Sequence, residues 1–474
     1  MATPWRTYPR RTALKGLAAG ALTLLLPACR REDTRAEADP FTAEGLRLDL
    51  RHRITGASEE LELVRARIEP AWRGNKAQLT TGPDWGDYRL SVYDRGEALL
   101  FREGFDSPLD PNARAAIGEL SVRLPLPRQA VNAVIEKRHA ENAFATVWEH
   151  SIEPPDAALG RSAPASAPRV DAILANGDPA SRVDIAIVGD GYRESEHAKF
   201  HADAKRAVEY LFSVDPFRRR ASDFNVHAVF VASAESGITD PYLGVHRQTA
   251  LRCEYGSGAA ERTLSVGDNY ALREAAAAVP YDILLVLANA RRYGGSAHFG
   301  GPAVVAIDSG AAKYLVLHEV AHVIGGLAEE YYIAAGDGPA YAGNVEPWHP
   351  NATLSPERAK WRGASGAAPQ RQAWNKAEYD RYFAGYVKRY EALRSRGTPE
   401  SVVERFMSEE MRRQAALLAK AGAERTIGLF EGAHGYSRGV YRSEVSCIMF
   451  SLQTERFCMA CGSAIERMID WHAA

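Results

Sequence analysis

The sequence of 474 residues lacks an excess of charge of either sign. It contains 58 lysine and arginine residues against 60 aspartate and glutamate residues, a formal net charge of −2. Because proteins that bind nucleic acids usually carry a basic excess, this balance argues against a nucleic-acid partner. Hydrophobic residues make up 46% of the chain and charged residues 25%. These proportions are typical of soluble globular proteins and exclude a wholly disordered chain.

Cysteine and long apolar runs are scarce. The five cysteines are too few for a disulfide-dense scaffold, and their odd number leaves at least one outside any pairing. The apolar run at residues 17–26 is much shorter than the ~20 residues that span a bilayer. We therefore expect no transmembrane helix, in a chain long enough for two or three domains.

The N-terminus has the layout of an export signal. A basic stretch ends in Arg10-Arg11, an apolar run follows, and Cys29 comes directly after Leu26-Pro27-Ala28. Residues 10–15 resemble a twin-arginine export motif and residues 26–29 resemble a lipobox. We expect residues 1–29 to be a signal peptide of an extracytoplasmic bacterial protein, either periplasmic, held at the cell envelope by a lipid on Cys29, or secreted. Residues 30–40 would be a polar tether. The alternative is a plain signal peptide in which Cys29 is incidental.

Residues 41–153 favour short strands. Apolar and polar residues alternate over residues 46–50, 61–68, 88–93 and 120–124, and turn residues such as Asp94-Arg95-Gly96 separate the runs. This pattern predicts an antiparallel all-β sandwich of roughly a hundred residues. Residues 154–169 are rich in proline, alanine and serine, which is typical of an interdomain linker.

Residues 170–474 alternate between strand and helix patterns and predict a layered domain of the α/β or α+β class. Residues 183–189 are a strand candidate and residues 281–288 are apolar enough for a central strand, whereas residues 194–211 repeat apolar positions at helical spacing. Residues 370–425 are charged and helical in pattern, and we interpret them as a helical insertion. Within them Thr398-Pro399-Glu400 is a typical helix start.

Residues 318–322 read HEVAH, an H-E-x-x-H motif in an apolar segment. On a helix His318 and His322 lie on one face, so that both imidazoles can bind one Zn²⁺ ion. Glu319 lies beside them, where a general base would receive a proton from the attacking water. Buried charged and imidazole groups are unfavourable unless they are satisfied, and a metal would satisfy them.

A catalytic zinc needs a third protein ligand, and Glu329 and Glu330 are the candidates. Gly325-Gly326 should end the helix and turn the chain back. In the metzincin pattern the third ligand comes three residues after the glycine, which favours Glu329 when the count starts from Gly326. The gluzincin alternative takes a glutamate from a later helix, for which Glu346 and Glu378 fit less well.

The sequence around this motif resembles the IgA-peptidase-like metallopeptidases, a bacterial family within the metzincins. The matching segments are residues 176–179, 183–192, 224–226, 233–237, 293–295, 303–305, 322–331, 430–433, 439–442 and 447–449. The resemblance implies a twisted mixed sheet with an active-site helix, one catalytic zinc, and protein or peptide substrates. It also implies that residues 41–153 are an accessory domain and that Met449 lies in a turn beneath the zinc. Glu329 stands where the family commonly has aspartate.

Four cysteines remain after Cys29, namely Cys253, Cys447, Cys458 and Cys461. Outside the cytoplasm disulfides are the stronger expectation, and we predict a bridge from Cys447 to one member of the C-x-x-C pair. A structural zinc site with four cysteines is the less favoured alternative, because Cys253 is isolated from any second C-x-x-C.

Together these observations predict an exported zinc endopeptidase. Candidate donors to a reaction oxyanion or to the substrate are Tyr331, His434, Tyr436 and Tyr441. Two rival hypotheses are a surface-anchored binding lipoprotein with an inactive or structural metal site, and a gluzincin-type exopeptidase. The intact Glu319 argues against the first rival, since loss of the base is the simplest route to an inactive enzyme.

Overall fold

The computed structural model describes residues 39–473 except residues 57, 73, 110–114, 155–158, 163–166, 257–260, 333–339, 363–365 and 421–425. The predicted signal peptide, the lipid site at Cys29 and most of the predicted tether lie outside the described residues. Residues Pro40–Ala474 belong to one compact unit. Among the described residues, no helix is both long enough and apolar enough to cross a membrane.

The N-terminal part of this unit is made of strands in the residues described. Their bounds are Phe41–Thr55 (β1), Ser58–Glu69 (β2), Tyr88–Asp94 (β3), Leu99–Phe105 (β4), Ala115–Pro127 (β5), Val131–Arg138 (β6), Phe144–Ile152 (β7) and Gly160–Arg161 (β8). They form two four-stranded sheets, ordered β5-β1-β2-β8 and β4-β3-β6-β7. All pairings are antiparallel except the short β2–β8 pair, and strand β8 lies within the segment predicted as a linker.

One hydrophobic core joins these two sheets. Leu46, Leu48 and Leu50 of β1 point into it and are fully buried, as strand alternation requires. The opposite face of β1 is buried as well, because Arg47 donates to Glu274 in the C-terminal part at 2.5 Å. Arg47 also pairs with Asp49 at 2.9 Å. A buried charge network of this kind connects the N-terminal sheets to the rest of the unit.

The C-terminal part mixes strands and helices. Its strands are Arg169–Leu174 (β9), Val183–Asp190 (β10), Phe224–Phe230 (β11), Glu254–Tyr255 (β12), Leu264–Ser265 (β13), Ile283–Ala288 (β14), Gly295–Ser296 (β15), Pro302–Ala306 (β16), Arg371–Gln372 (β17), Leu429–Ala433 (β18) and Tyr436–Arg442 (β19). Its helices are His197–Leu211 (α1), Asn269–Ala276 (α2), Ala312–Gly325 (α3), Lys376–Ser395 (α4), Glu400–Ala419 (α5) and Met459–Ala473 (α6).

A six-stranded sheet, ordered β15-β16-β14-β10-β11-β9, forms the centre of this part. The four inner strands are parallel, whereas the edge strands β9 and β15 are antiparallel to their neighbours. Helices α1, α3 and α6 cover one face, and α2 covers the other. The inner strands are almost entirely apolar because both faces are covered.

The fold confirms the coarse prediction of a mixed α and β chain with a β-rich N-terminal region. The segment predicted to be helical, 370–425, holds α4 and α5. Helix α5 begins at Glu400, so Pro399 is its N-cap and lies one residue before the first helical position that the start signal predicted for it.

Candidate active site

Helix α3 carries the H-E-x-x-H motif through the interior. It is apolar nearly all round because it lies between the six-stranded sheet and helices α1 and α6. The helix ends at Gly326, which has a φ of 54° and whose N–H donates to His322 O at 3.1 Å. A Cβ at Gly326 would come within 2.9 Å of the Trp348 ring. Both the left-handed backbone and the close approach therefore require glycine here.

Three side chains converge at one point beside this helix. The Nε2 atoms of His318 and His322 lie 3.1 Å apart. The carboxylate of Glu329 approaches them with Oε2 3.1 Å from His318 Nε2 and Oε1 3.4 Å from His322 Nε2. The turn that follows Gly326 brings Glu329 back to the helix, as the motif spacing predicted.

The dimensions and chemistry of this triangle fit Zn²⁺. Bonds of about 2.05 Å in a tetrahedral zinc site place neighbouring N and O ligands about 3.3 Å apart, close to the distances found here. Glu329 Oε2 is buried and accepts no hydrogen bond from the described residues. Burial would lower the pKa of His322, but Glu329 outweighs it and the pKa rises to about 9. The carboxylate therefore draws positive charge to this point.

The outer ring nitrogens of both histidines have partners. His318 Nδ1 lies 3.0 Å from the hydroxyl of Tyr314 and 3.3 Å from the carbonyl oxygen of Ile448. His322 Nδ1 lies 2.7 Å from Leu327 O. A carbonyl can only accept, so each Nδ1 carries a proton, and in the neutral ring that binds a metal each Nε2 has the free lone pair.

Glu319 lies beside the triangle and is separate from it. One of its carboxylate oxygens lies within 4.8 Å of an imidazole nitrogen of each histidine. Glu319 is buried, and this burial raises the pKa of its carboxyl above the ordinary range. Its Oε1 faces Gly295 of β15, where a Cβ would lie only 2.6 Å away. The shorter contacts of Glu329 make it the better ligand and leave Glu319 free to move a proton.

The turn after β18 holds the segment that carries Glu329. His434 N donates to Glu329 O at 2.7 Å, and Gly435 N donates to Tyr331 O at 3.1 Å. The Tyr331 hydroxyl donates to Glu329 Oε1 at 2.8 Å. Burial alone would raise the pKa of Glu329, but the two imidazoles outweigh it and hold that pKa well below its ordinary value.

A tight turn lies against the triangle from the opposite side. The N–H groups of Phe450 and Ser451 donate to Cys447 O, both at 2.9 Å. Ile448 in this turn contacts His318 through its carbonyl oxygen. Met449 is fully buried, and its carbonyl oxygen accepts from Glu330 N at 3.0 Å.

The triangle opens into a cavity of about 390 Å³. Helices α4 and α5 supply part of its wall through Phe383, Tyr386 and Gln414. Of the predicted contact residues, Tyr331 and His434 line the cavity, whereas Tyr436 and Tyr441 are not among its lining residues in the described chain. Tyr436 packs against Tyr341 instead, with ring centroids 5.0 Å apart.

Two cavity residues carry no motif that could have marked them in the sequence. Arg262 faces the Tyr331 ring with its guanidinium carbon 5.8 Å from the ring centroid. Tyr314 precedes His318 by one helical turn, and that spacing was the only signal for its contact with the histidine.

The other carboxylates considered as ligands lie elsewhere. Glu346 binds Lys360 Nζ at 2.6 Å. Glu378 is an exposed residue of α4, 3.8 Å from Lys420 Nζ. Glu330 points away from the histidines and accepts from the thiols of Cys458 and Cys461, each at 3.2 Å.

The predicted disulfide from Cys447 to the C-x-x-C pair is wrong for this structure. Cys253, Cys447, Cys458 and Cys461 are all free and buried. Cys458 and Cys461 instead lie one helical turn apart at the start of α6, so that both thiols converge on the Glu330 carboxylate.

Comparison with known families accounts for most of the chain. The family model described as IgA Peptidase M64 matches residues 172–469. The chain belongs to this family. The model described as Peptidase M64 N-terminus matches residues 38–149, the β-rich region. The M64 match covers the histidines, both glutamates and the turn at Met449, and it supports a peptidase. A comparison with curated protein sequences found no match.

Proposed function

We propose that the chain is a zinc-dependent endopeptidase of the metzincin type. His318, His322 and Glu329 hold the ion, and Glu319 is the general base. The observation that carries the proposal is the convergence of two imidazole nitrogens and the Glu329 carboxylate, with contacts of 3.1–3.4 Å, beside a separate buried carboxylate. A zinc ion bound there would polarise the scissile carbonyl and lower the pKa of the attacking water.

The side chains around the ion would transfer the proton and stabilise the oxyanion. Glu319 takes the proton of the attacking water and returns it to the leaving amine. Its raised pKa suits this exchange, because a base works best when its pKa lies near the operating pH. Tyr331 and His434 line the same cavity and are the nearest candidates to stabilise the oxyanion. The Tyr331 hydroxyl would have to leave Glu329 Oε1 to do so.

The metzincin type is favoured over the gluzincin type by the source of the carboxylate. Glu329 follows the glycine turn directly, whereas Glu346 and Glu378 engage lysines away from the histidines. The buried Met449, whose turn contacts His318 through Ile448, is consistent with the same type. The intact base argues against a binding protein with an inactive site.

A peptide with blocked termini tests the proposal. We expect the wild-type protein to cleave an internally quenched peptide whose amino and carboxyl ends are both capped. The Glu319→Gln variant should lose about 10²–10⁴-fold in kcat/KM, the usual contribution of a general base, while zinc content stays unchanged. Glu378→Gln, which alters an exposed carboxylate, is the matched control and should cleave normally.

The outcomes separate the hypotheses. Cleavage of free peptides but not of capped ones would favour an exopeptidase. Absence of cleavage in the wild type with bound zinc would favour the binding lipoprotein. Equal rates for Glu319→Gln and wild type would remove Glu319 from the mechanism.

We further propose export and lipid attachment. The signal pattern of residues 1–29 and the cysteine at its end support both. Mass spectrometry of the N-terminal peptide from membrane fractions should detect an acylated Cys29. A soluble mature protein that starts beyond Cys29 would contradict the lipid anchor.

A further inference from the structure

A second group of metal-ligating side chains lies behind the candidate active site. Ligand atoms of Glu330, Cys447, Cys458 and Cys461 all lie within 4.8 Å of one another. Each of these residues is at most 1% exposed. We call these four residues the cysteine cluster. A tetrahedral zinc site with bonds of about 2.3 Å to sulfur has neighbouring ligands about 3.8 Å apart, so the cluster has the right size for one ion.

The carboxylate of Glu330 lacks a full set of partners. Its Oε1 accepts from both thiols of the C-x-x-C pair at 3.2 Å and from Asn351 Nδ2 at 3.4 Å. Its Oε2 is buried and accepts no hydrogen bond from the described residues. A buried carboxylate oxygen without a donor is unfavourable by more than an ordinary hydrogen bond is worth. A cation at the centre of the cluster would satisfy it.

Backbone N–H groups approach two of the three sulfur atoms of the cysteine cluster. Cys458 N lies 3.2 Å from Cys447 Sγ, and Cys461 N lies 3.4 Å from Cys458 Sγ. Cys458 directly precedes α6 and Cys461 lies in its first turn. Backbone N–H groups and the positive end of a helix dipole both favour the negative form of sulfur. The thiolate is the form that binds metals.

We propose that Glu330, Cys447, Cys458 and Cys461 form a second zinc site with a structural role. Three thiolates and one carboxylate suit Zn²⁺, which accepts both kinds of ligand in closed tetrahedral sites. The C-x-x-C pair has the ligand spacing common in structural zinc sites. The buried guanidinium of Arg442 interacts with Glu330 and offsets part of the negative charge.

The cysteine cluster connects directly to the candidate active site. Glu330 follows Glu329 in the chain, and its N–H donates to Met449 O at 3.0 Å. Cys447 begins the turn whose next residue, Ile448, contacts His318. An ion in the cluster would fix both segments, and with them the positions of Glu329 and His318. The proposed site is therefore a support for the active site and takes no part in the chemistry.

Metal counting on the full-length protein, purified under reducing conditions, tests the site. We expect two zinc ions per chain in the wild type and in Cys253→Ser, a matched control whose thiol is buried on the other face of the sheet. The double variant Cys458→Ser/Cys461→Ser should retain one zinc, at the histidines. The double variant His318→Ala/His322→Ala should also retain one, at the cysteines.

X-ray absorption spectroscopy of the bound zinc tests the site without the cysteine variant, which is needed if that variant does not fold. Zinc in the histidine double variant should show only sulfur and oxygen neighbours, with zinc–sulfur distances of about 2.3 Å. Wild-type protein with a single zinc and no sulfur neighbours would overturn the proposal. A Cys458–Cys461 disulfide in protein isolated without oxidant would overturn it as well. These readouts do not depend on activity, so they can succeed even if the proposed peptidase function fails.

Discussion

Glu329 and Glu330 are neighbours in the chain, yet their carboxylates lie in opposite kinds of site. The Glu329 side chain is 33% exposed, faces two imidazoles and borders the cavity. Glu330 is 1% exposed and faces three thiols. Catalytic zinc sites have three protein ligands and an open position, whereas structural sites are closed by four. The two glutamates therefore separate a site suited to chemistry from a site suited to support.

Replacement of either glutamate by glutamine should give the largest change in zinc affinity. Glu329→Gln replaces a charged ligand by a neutral one at the histidines. Since loss of a mere outer partner weakens metal affinity by about 10–100-fold, we expect at least about 100-fold weaker zinc binding there, with a matching loss of activity at limiting zinc. Titration against a zinc buffer measures both quantities.

Glu330→Gln is the counterpart and should act on the other ion. Zinc at the cysteines should weaken, while the affinity at the histidines changes much less. If Glu330→Gln instead removed the zinc bound by the histidines and Glu329→Gln did not, the assignment of the two glutamates would be reversed.

Gly295→Ala should lower activity because its closest clash is with the base. The new Cβ would lie 2.6 Å from Glu319 Oε1 and 3.1 Å from Leu315 Cδ2, so the carboxylate must move. Misplacement of a reacting group by about 1 Å can lower a rate by about 10²-fold. We expect a 10–100-fold fall in kcat with both zinc ions retained. Gly310→Ala, where no neighbour lies closer than 3.9 Å, is the control and should be neutral. Normal kcat in Gly295→Ala would mean that Glu319 is not confined by β15.

A chelator should remove zinc from the two sites at different rates, because the sites differ in accessibility. The cavity gives a chelator access to the histidines, whereas the cysteine cluster is closed on all sides. We therefore expect activity to disappear first, with little change in the melting temperature. Slower loss of the second zinc should then lower the melting temperature. Simultaneous loss of both ions with one unfolding transition would contradict this separation.

The sequence was sufficient to predict the elements whose signals are local. Residues 318–322 indicated a helix that places two histidines on one face, and Gly326 marks its end because only glycine accepts the backbone and the close approach of Trp348. The spacing to Glu329 follows from that turn. The alternation in β1 likewise predicted a buried face, with Leu46 and Leu48 in the core.

The features that sequence reasoning missed depend on contacts between distant segments. Nothing near Glu330 indicates that Cys447 and the C-x-x-C pair, more than a hundred residues later, fold against it. Cysteines in a chain with the pattern of an export signal therefore suggested a disulfide. The alternation in β1 places Arg47 on the face opposite the core, where a sequence reader expects solvent. Arg47 is buried there because its partner Glu274 comes from the distant helix α2.

Tyr314→Phe should have the smallest effect and tests how rigidly the histidine site is held. The change removes a hydroxyl 3.0 Å from His318 Nδ1 but leaves Ile448 O at 3.3 Å as an acceptor. Because one of two partners of the ring N–H remains, we expect at most about a tenfold loss of zinc affinity, the lower end of the range for such partners. Competition with a zinc indicator measures it, and kcat at saturating zinc should stay near the wild-type value. A loss as large as that of Glu329→Gln would show instead that Ile448 O does not hold the ring, and that the turn carrying Met449 contributes little to the site.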